Sequence, residues 1–160
     1  MCLQILFIQM KIEKAIKATS QMEITTKSII NIMYTSRFIE DMFTSLLKQY
    51  DITSQQFNVL RILRGQKGKP ANLSTLQERM IDKSSNTTRL VDKLIKKGFV
   101  KRQTCEQNRR KVEIFITDKG LIQLKELDPV TEKINKNLLA NLSTRQMEDL
   151  NKLLDKIRTL

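Results

Sequence analysis

Between Lys83 and Thr117 the apolar residues change spacing once, from the period of a helix to the period of a strand, and two arginines mark the change of direction. Few folds accommodate that order in so short a run. In SSNTTRLVDKLIKKG, which ends at Gly98, Leu90, Val91, Leu94 and Ile95 fall on one helical face and leave Ser85, Asn86, Thr88, Arg89 and Lys93 on the other. Ser84 is expected to cap this helix and Gly98 to end it in the left-handed conformation. Phe99 to Thr104 and Lys111 to Thr117 then read as two short strands, the second turning Val112, Ile114 and Ile116 inward. Glu106 to Arg110 are expected to form the turn between them.

Short Ser, Asn and Thr side chains on an outward helix face let a backbone come close to base edges in a DNA major groove, and Arg89 can reach a guanine or a phosphate. A hairpin carrying Arg109, Arg110 and Lys111 suits the flank, because a guanidinium enters a narrow, electronegative minor groove well. The expected fold is mainly α with a small β-hairpin wing: a winged helix-turn-helix with flanking N- and C-terminal dimerisation helices. Residues 51–117 would be the DNA-binding lobe, 23–50 and 118–160 the helical dimerisation region, and 1–22 an N-terminal extension.

The run TRLVDKLIKKGFVKR, the turn ending NRRK and the segment IFITDKG resemble the DNA-binding lobe of the MarR (multiple antibiotic resistance regulator) family. The resemblance extends over roughly Ser28 to Leu160. It departs at the wing, where the family usually reads Asp-x-x-Asp-Arg-Arg and this chain has Cys105, Glu106, Gln107, Asn108, Arg109 and Arg110. The ion pairs that usually brace the wing therefore lack both acidic partners, although Asn108 can hydrogen-bond the turn. The resemblance implies a homodimeric transcription regulator, most often a repressor. It also implies release from DNA by a small, often aromatic anion or by cysteine oxidation. A crevice between the first helix, the second helix and the winged lobe would take such an effector, with Tyr34, Arg37 and Phe57 as candidates. Cys105, between Arg102 and Arg109, is the candidate redox residue.

Charge supports an anionic partner. The chain carries +12 with an isoelectric point near 9.9. Asn72 to Ile116 hold eleven Lys or Arg against five Asp or Glu, so half the surplus lies on the expected groove-facing elements. Histidine is absent, which leaves no His-based triad, proton shuttle or ordinary zinc site. No cofactor or metal is expected, and the chemistry should be binding rather than catalysis. Two cysteines make no disulfide framework and suit a reducing cytoplasm. The opening MCLQILFIQ is too short to span a bilayer and lacks a preceding basic region. Met1 to about Gln21 reads equally as an extra helix on a dimer partner or as a misassigned start, given Met10 and Met22.

Elsewhere the pattern is helical. Thr25 to Tyr50 repeat an apolar residue every three or four positions, and Thr53-Ser54-Gln55-Gln56 is a capping box opening a second helix that Gly65 stops. Ser74-Thr75-Leu76-Gln77 is read as another capping box, and Ser143-Thr144-Arg145-Gln146 as a third. Asp128-Pro129 is expected to break or kink the helix that Thr117 opens. The last helix carries Met147, Leu150, Leu153, Leu154, Ile157 and Leu160 as one stripe, assigned with the long first helix to a symmetric dimer interface. Bases would be probed by Ser85, Asn86, Thr88 and Arg89, the minor groove by Arg109, and phosphates held by Lys93, Arg110 and Lys111, while Ser84 as the cap points the helix amide dipoles at a phosphate. The alternative is a winged-helix architectural or protein-interaction module without strong sequence specificity. Membrane binding fits poorly, because the basic residues lie on a folded hairpin rather than along one amphipathic helix.

Overall fold

The structure is a computed structural model that describes residues 10–105 and 108–159; of Cys105 and residues 108–111 it describes the backbone only. Seven helices and one hairpin follow in the order α1 (Ile12–Ala15), α2 (Ile24–Lys48), α3 (Ser54–Gly65), α4 (Leu73–Arg79), α5 (Thr87–Lys96), β1 (Val100–Cys105), β2 (Asn108–Ile116), α6 (Asp118–Leu138) and α7 (Thr144–Ile157) among the described residues. The chain divides into two compact units between Tyr50 and Asp51.

In the first unit, α2 is a single helix of 25 residues. Glu23 caps it, its carboxylate accepting from the Thr25 and Thr26 amides. Those bonds favour the charged carboxylate, the Thr25 hydroxyl contributing most, and hold the Glu23 pKa below its usual value. Lys27 pairs with Glu13 of α1. Ile24, Ile29, Met33, Tyr34 and Phe38 of α2 are exposed.

The second unit has its core where α3 meets α5, α6 and the hairpin. Phe57, Val59, Leu60 and Leu63 of α3 are buried with Leu76, Val91, Leu94, Val100, Ile114, Leu124 and Leu127. The Thr53 capping box forms as expected, each partner satisfying the other's amide, as does that of Ser143 and Gln146 on α7.

Three sequence expectations are corrected. Asn72, not Ser74, caps α4: its Oδ1 accepts from the Thr75 amide at 2.8 Å and from the Ser74 hydroxyl at 2.7 Å. The reason is tertiary. Ala71 exchanges two backbone hydrogen bonds with Ile114 of β2, at 3.0 and 2.8 Å, so its neighbour is the first residue placed to start a helix. Second, Pro129 neither ends nor splits α6, which runs unbroken from Asp118 to Leu138. Pro129 deprives the helix of one amide bond. Fully buried Leu124 and Leu127, and Arg64 of α3 gripping the Asp128 carboxylate at 2.6 and 3.0 Å, hold the turn before it in place. Third, β2 begins at Asn108, so Arg109 and Arg110 belong to the strand rather than to a turn; Glu106 and Gln107 lie outside the described residues.

Candidate nucleic-acid interface

The segment between α4 and α5 is organised by one carboxylate. Asp82 Oδ1 accepts from the Ser84 amide at 2.9 Å and the Ser84 hydroxyl at 2.6 Å, while Oδ2 accepts from the Ser85 hydroxyl at 2.9 Å. With Ser84 as the largest contributor and Ser85 next, these bonds hold the Asp82 pKa below its usual value, so it stays ionised. Ser84 does not cap the recognition helix. Asn86 does, its Oδ1 accepting from the Arg89 amide at 3.0 Å, because α5 begins at Thr87 and Asn86 is the residue immediately before it. Asn86→Ala should accordingly destabilise the protein by about 0.5–2 kcal/mol in urea unfolding, while Asn86→Ser should retain most of the stability.

The recognition helix α5 starts at Thr87, which is buried and hydrogen-bonds Gln77 of α4 through its hydroxyl, setting the angle between the two helices. Val91 and Leu94 are fully buried beneath it. Asn86, Thr88, Arg89 and Lys93 are exposed on the opposite side. Among the described residues, neither Arg89 nor Lys93 has an ion-pair partner. With Gln55, Asp82, Ser84, Ser85, Asn86 and Leu90 they line an open depression of about 370 Å³.

The far end of α5 is closed by a Schellman arrangement. The Phe99 amide donates to Leu94 at 3.0 Å and the Gly98 amide to Ile95 at 2.9 Å, with Gly98 at φ 74°. Lys97 reaches the backbone carbonyl of Asp51 and, at 2.9 Å, its carboxylate. The hairpin leaves α5 directly. It is antiparallel, pairing Val100 with Ile116 through Thr104 with Val112, then passing irregularly to Cys105 and Asn108. Arg109, Arg110 and Lys111 lie along that irregular stretch of β2; their side chains and that of Cys105 are outside the described ones. Arg102 of β1 donates to Asp92 on α5 at 2.8 Å, a tie between hairpin and recognition helix. Lys101 stands over the Phe115 ring at 5.4 Å.

The structure thus brings Ser84, Ser85, Asn86, Arg89 and Lys93 to one depression, and leaves Thr88 exposed on the same helix. Sequence reading missed Asp82 and Gln55 there, although Asp82-x-Ser84-Ser85 is a recognisable Asx-turn pattern. The effector candidates are divided between the two units. In the first unit Tyr34 is exposed, and Arg37 is exposed and paired with Glu40 and Asp41 at 3.4 and 3.0 Å. In the second, Phe57 is buried with the Arg61 guanidinium 5.8 Å from its ring centre.

A short helix bracing a second helix, followed by a hairpin tied to that helix, defines a winged helix-turn-helix. Residues 52–112 match the MarR family model. The HTH-type transcriptional regulator SarZ of Staphylococcus aureus is 29% identical over 126 residues, 78% of this chain and 82% of SarZ. Two solved structures share the fold. The organohalide-sensing regulator RdhR-CbdbA1625, bound to 2,4-dichlorophenol, has a TM-score of 0.77 at 20% identity, covering 86% of this chain and 81% of its own. Staphylococcus aureus MepR, solved with DNA, has a TM-score of 0.70 at 18% identity, covering 80% and 91%. Over residues 52–112, the winged lobe, the chain is thus similar to the MarR family.

Proposed function

We propose that the protein is a homodimeric, sequence-specific repressor that reads a palindromic operator in the cytoplasm. The observation that carries this reading is the outward face of α5, where Thr88, Arg89 and Lys93 stand exposed while Val91 and Leu94 fix the helix from below. Such a face enters a major groove, with Ser85, Asn86, Thr88 and Arg89 toward base edges and Lys93 toward a phosphate. The hairpin would follow the flank, Arg109 in the minor groove and Arg110 and Lys111 on phosphates. One recognition helix reads few base pairs. Two related by a two-fold axis read half-sites about one helical turn apart. Exposed apolar residues support a dimer: Met33 and Phe38 on α2, Leu150, Leu153 and Ile157 on α7.

Release by a small aromatic or anionic effector is the finer part of the proposal, with Tyr34, Arg37 and Phe57 as its contacts. The relative bound to 2,4-dichlorophenol supports a phenolic ligand class. A ligand anion reaching Arg37 would compete with Glu40 and Asp41 for its guanidinium.

Selection of bound duplexes from a random pool tests the reading, and a recovered palindrome is expected. A monomer in solution, or equal affinity for all duplexes at physiological salt, would leave only the architectural alternative, whose binding is the salt-dependent term alone. Once an operator is known, Arg89→Ala should weaken binding by about 1–3 kcal/mol and relax preference at one base position. Arg109→Ala should instead weaken binding to every sequence and reduce the salt slope by about one. Titrations of both variants at several salt concentrations distinguish base contact from phosphate or groove contact.

A further inference from the structure

A serine hydroxyl has one proton to donate and two lone pairs that accept. At the start of the recognition surface both protons are already committed: Ser84 donates to Asp82 Oδ1 at 2.6 Å and Ser85 to Oδ2 at 2.9 Å. The same carboxylate takes the Ser84 amide at 2.9 Å, and Gln55 of α3 lines the depression beside it. Ser84 is exposed, Ser85 half-buried, and both line the depression that also holds Asn86, Arg89 and Lys93. We propose that Asp82 makes Ser84 and Ser85 obligate hydrogen-bond acceptors, and that they thereby select an exocyclic amine, that of cytosine or adenine, on the major-groove edge of the operator.

The chemistry follows from what each part of DNA offers. Phosphate oxygens are acceptors, so two hydroxyls without a free proton cannot hold them. Guanine N7 and O6 and thymine O4 are acceptors as well. The cytosine 4-amino and adenine 6-amino groups are donors, and they alone in the major groove match an acceptor pair. Asp82 contributes a second discrimination, because its ionised carboxylate adds a negative charge that disfavours the acceptor-only edges. The short side chains suit the role, since only a close helix N-terminus brings them to a base edge. This inference rests on the operator-reading function proposed above and deepens it.

The test uses the full-length protein and a random duplex pool, comparing the wild type, Asp82→Ala and the double variant Ser84→Ala with Ser85→Ala. The wild type should enrich cytosine or adenine at one position or two adjacent positions per half-site. Asp82→Ala frees both protons, so that preference should fall by about threefold to tenfold, the worth of one hydrogen bond, and guanine or thymine should become acceptable there. Removing a negative charge also raises affinity for all duplexes, but that effect is uniform and does not change which base is preferred. The serine variant keeps Asp82 and should lose the same preference without the general gain; it decides the matter alone should Asp82→Ala not fold. If both variants keep the wild-type preferences, or if the preference lost with the serines is for guanine or thymine, the proposal is overturned while operator reading stands. If the wild type enriches no sequence, the operator reading itself fails.

Discussion

Replacing Gly120 by alanine should destabilise the protein by about 1–3 kcal/mol, and by valine more. A Cβ at this position would lie 2.3 Å from the Phe99 carbonyl oxygen and 2.8 Å from Ile116 Cγ1. The nearer obstacle is backbone, and it cannot swing aside. The Phe99 carbonyl accepts the Thr117 amide at 3.0 Å, and the Thr117 hydroxyl donates to the Gly98 carbonyl at 2.7 Å while accepting from the Gly120 amide at 3.1 Å. Any retreat of Phe99 therefore strains the joint where the end of α5, the base of the hairpin and the cap of α6 converge. For a chain of this size the expected loss is a melting temperature lower by several degrees, about 2–4 °C for each kcal/mol. Gly65→Ala is the control. Gly65 is the last residue of α3, with nothing within 4 Å of an added Cβ, so the same substitution there should be neutral or stabilise by up to about 1 kcal/mol. Equal melting temperatures for Gly120→Ala and the wild type would show that the backbone yields after all.

Leu94→Ala should cost about 2–5 kcal/mol, because it removes a fully buried side chain from under the recognition helix and leaves a cavity. Leu94 also supplies the carbonyl that closes the Schellman turn, so its neighbours are held and have little freedom to collapse inward. Leu94→Met, nearly equal in volume, should cost less than about 1.5 kcal/mol. The effect on DNA should be indirect. With most of the chain still folded at low temperature, the alanine variant should keep the wild-type base preferences and lose affinity in proportion to the unfolded fraction. A changed preference at full folding would mean that the helix had shifted in the groove, and that Leu94 sets its position as well as its stability.

Much of this architecture was legible because it depends on residues close together in the chain. The capping boxes at Thr53 and Ser143, the left-handed Gly98 and the single polar face of α5 each rest on contacts within a few positions. The misplaced boundaries share a different origin. Ser74 and Ser84 are as good capping residues as the asparagines that displaced them, and nothing local ranks the alternatives. Ala71 is pinned by Ile114, more than forty positions away, and that long-range pairing moves the start of α4. Pro129 has a strong local tendency to interrupt a helix, yet Arg64 and two buried leucines outweigh it.

The same division runs through the candidate site. Which residues face outward on α5, and that the surface is basic, followed from periodicity and charge alone, since a helix has one period and a cation on its outer face stays in water. Which neighbouring cations stay free was decided by tertiary structure. Lys97 and Arg102 became internal ties because Asp51 and Asp92 were folded within reach, whereas the Asp82 bonds that commit the serine protons span only two and three positions. Sequence fixes the inventory of donors and acceptors by covalent structure, whereas folding determines which are already used, because a hydrogen bond needs its partner within about 3 Å and only the packed chain sets that distance.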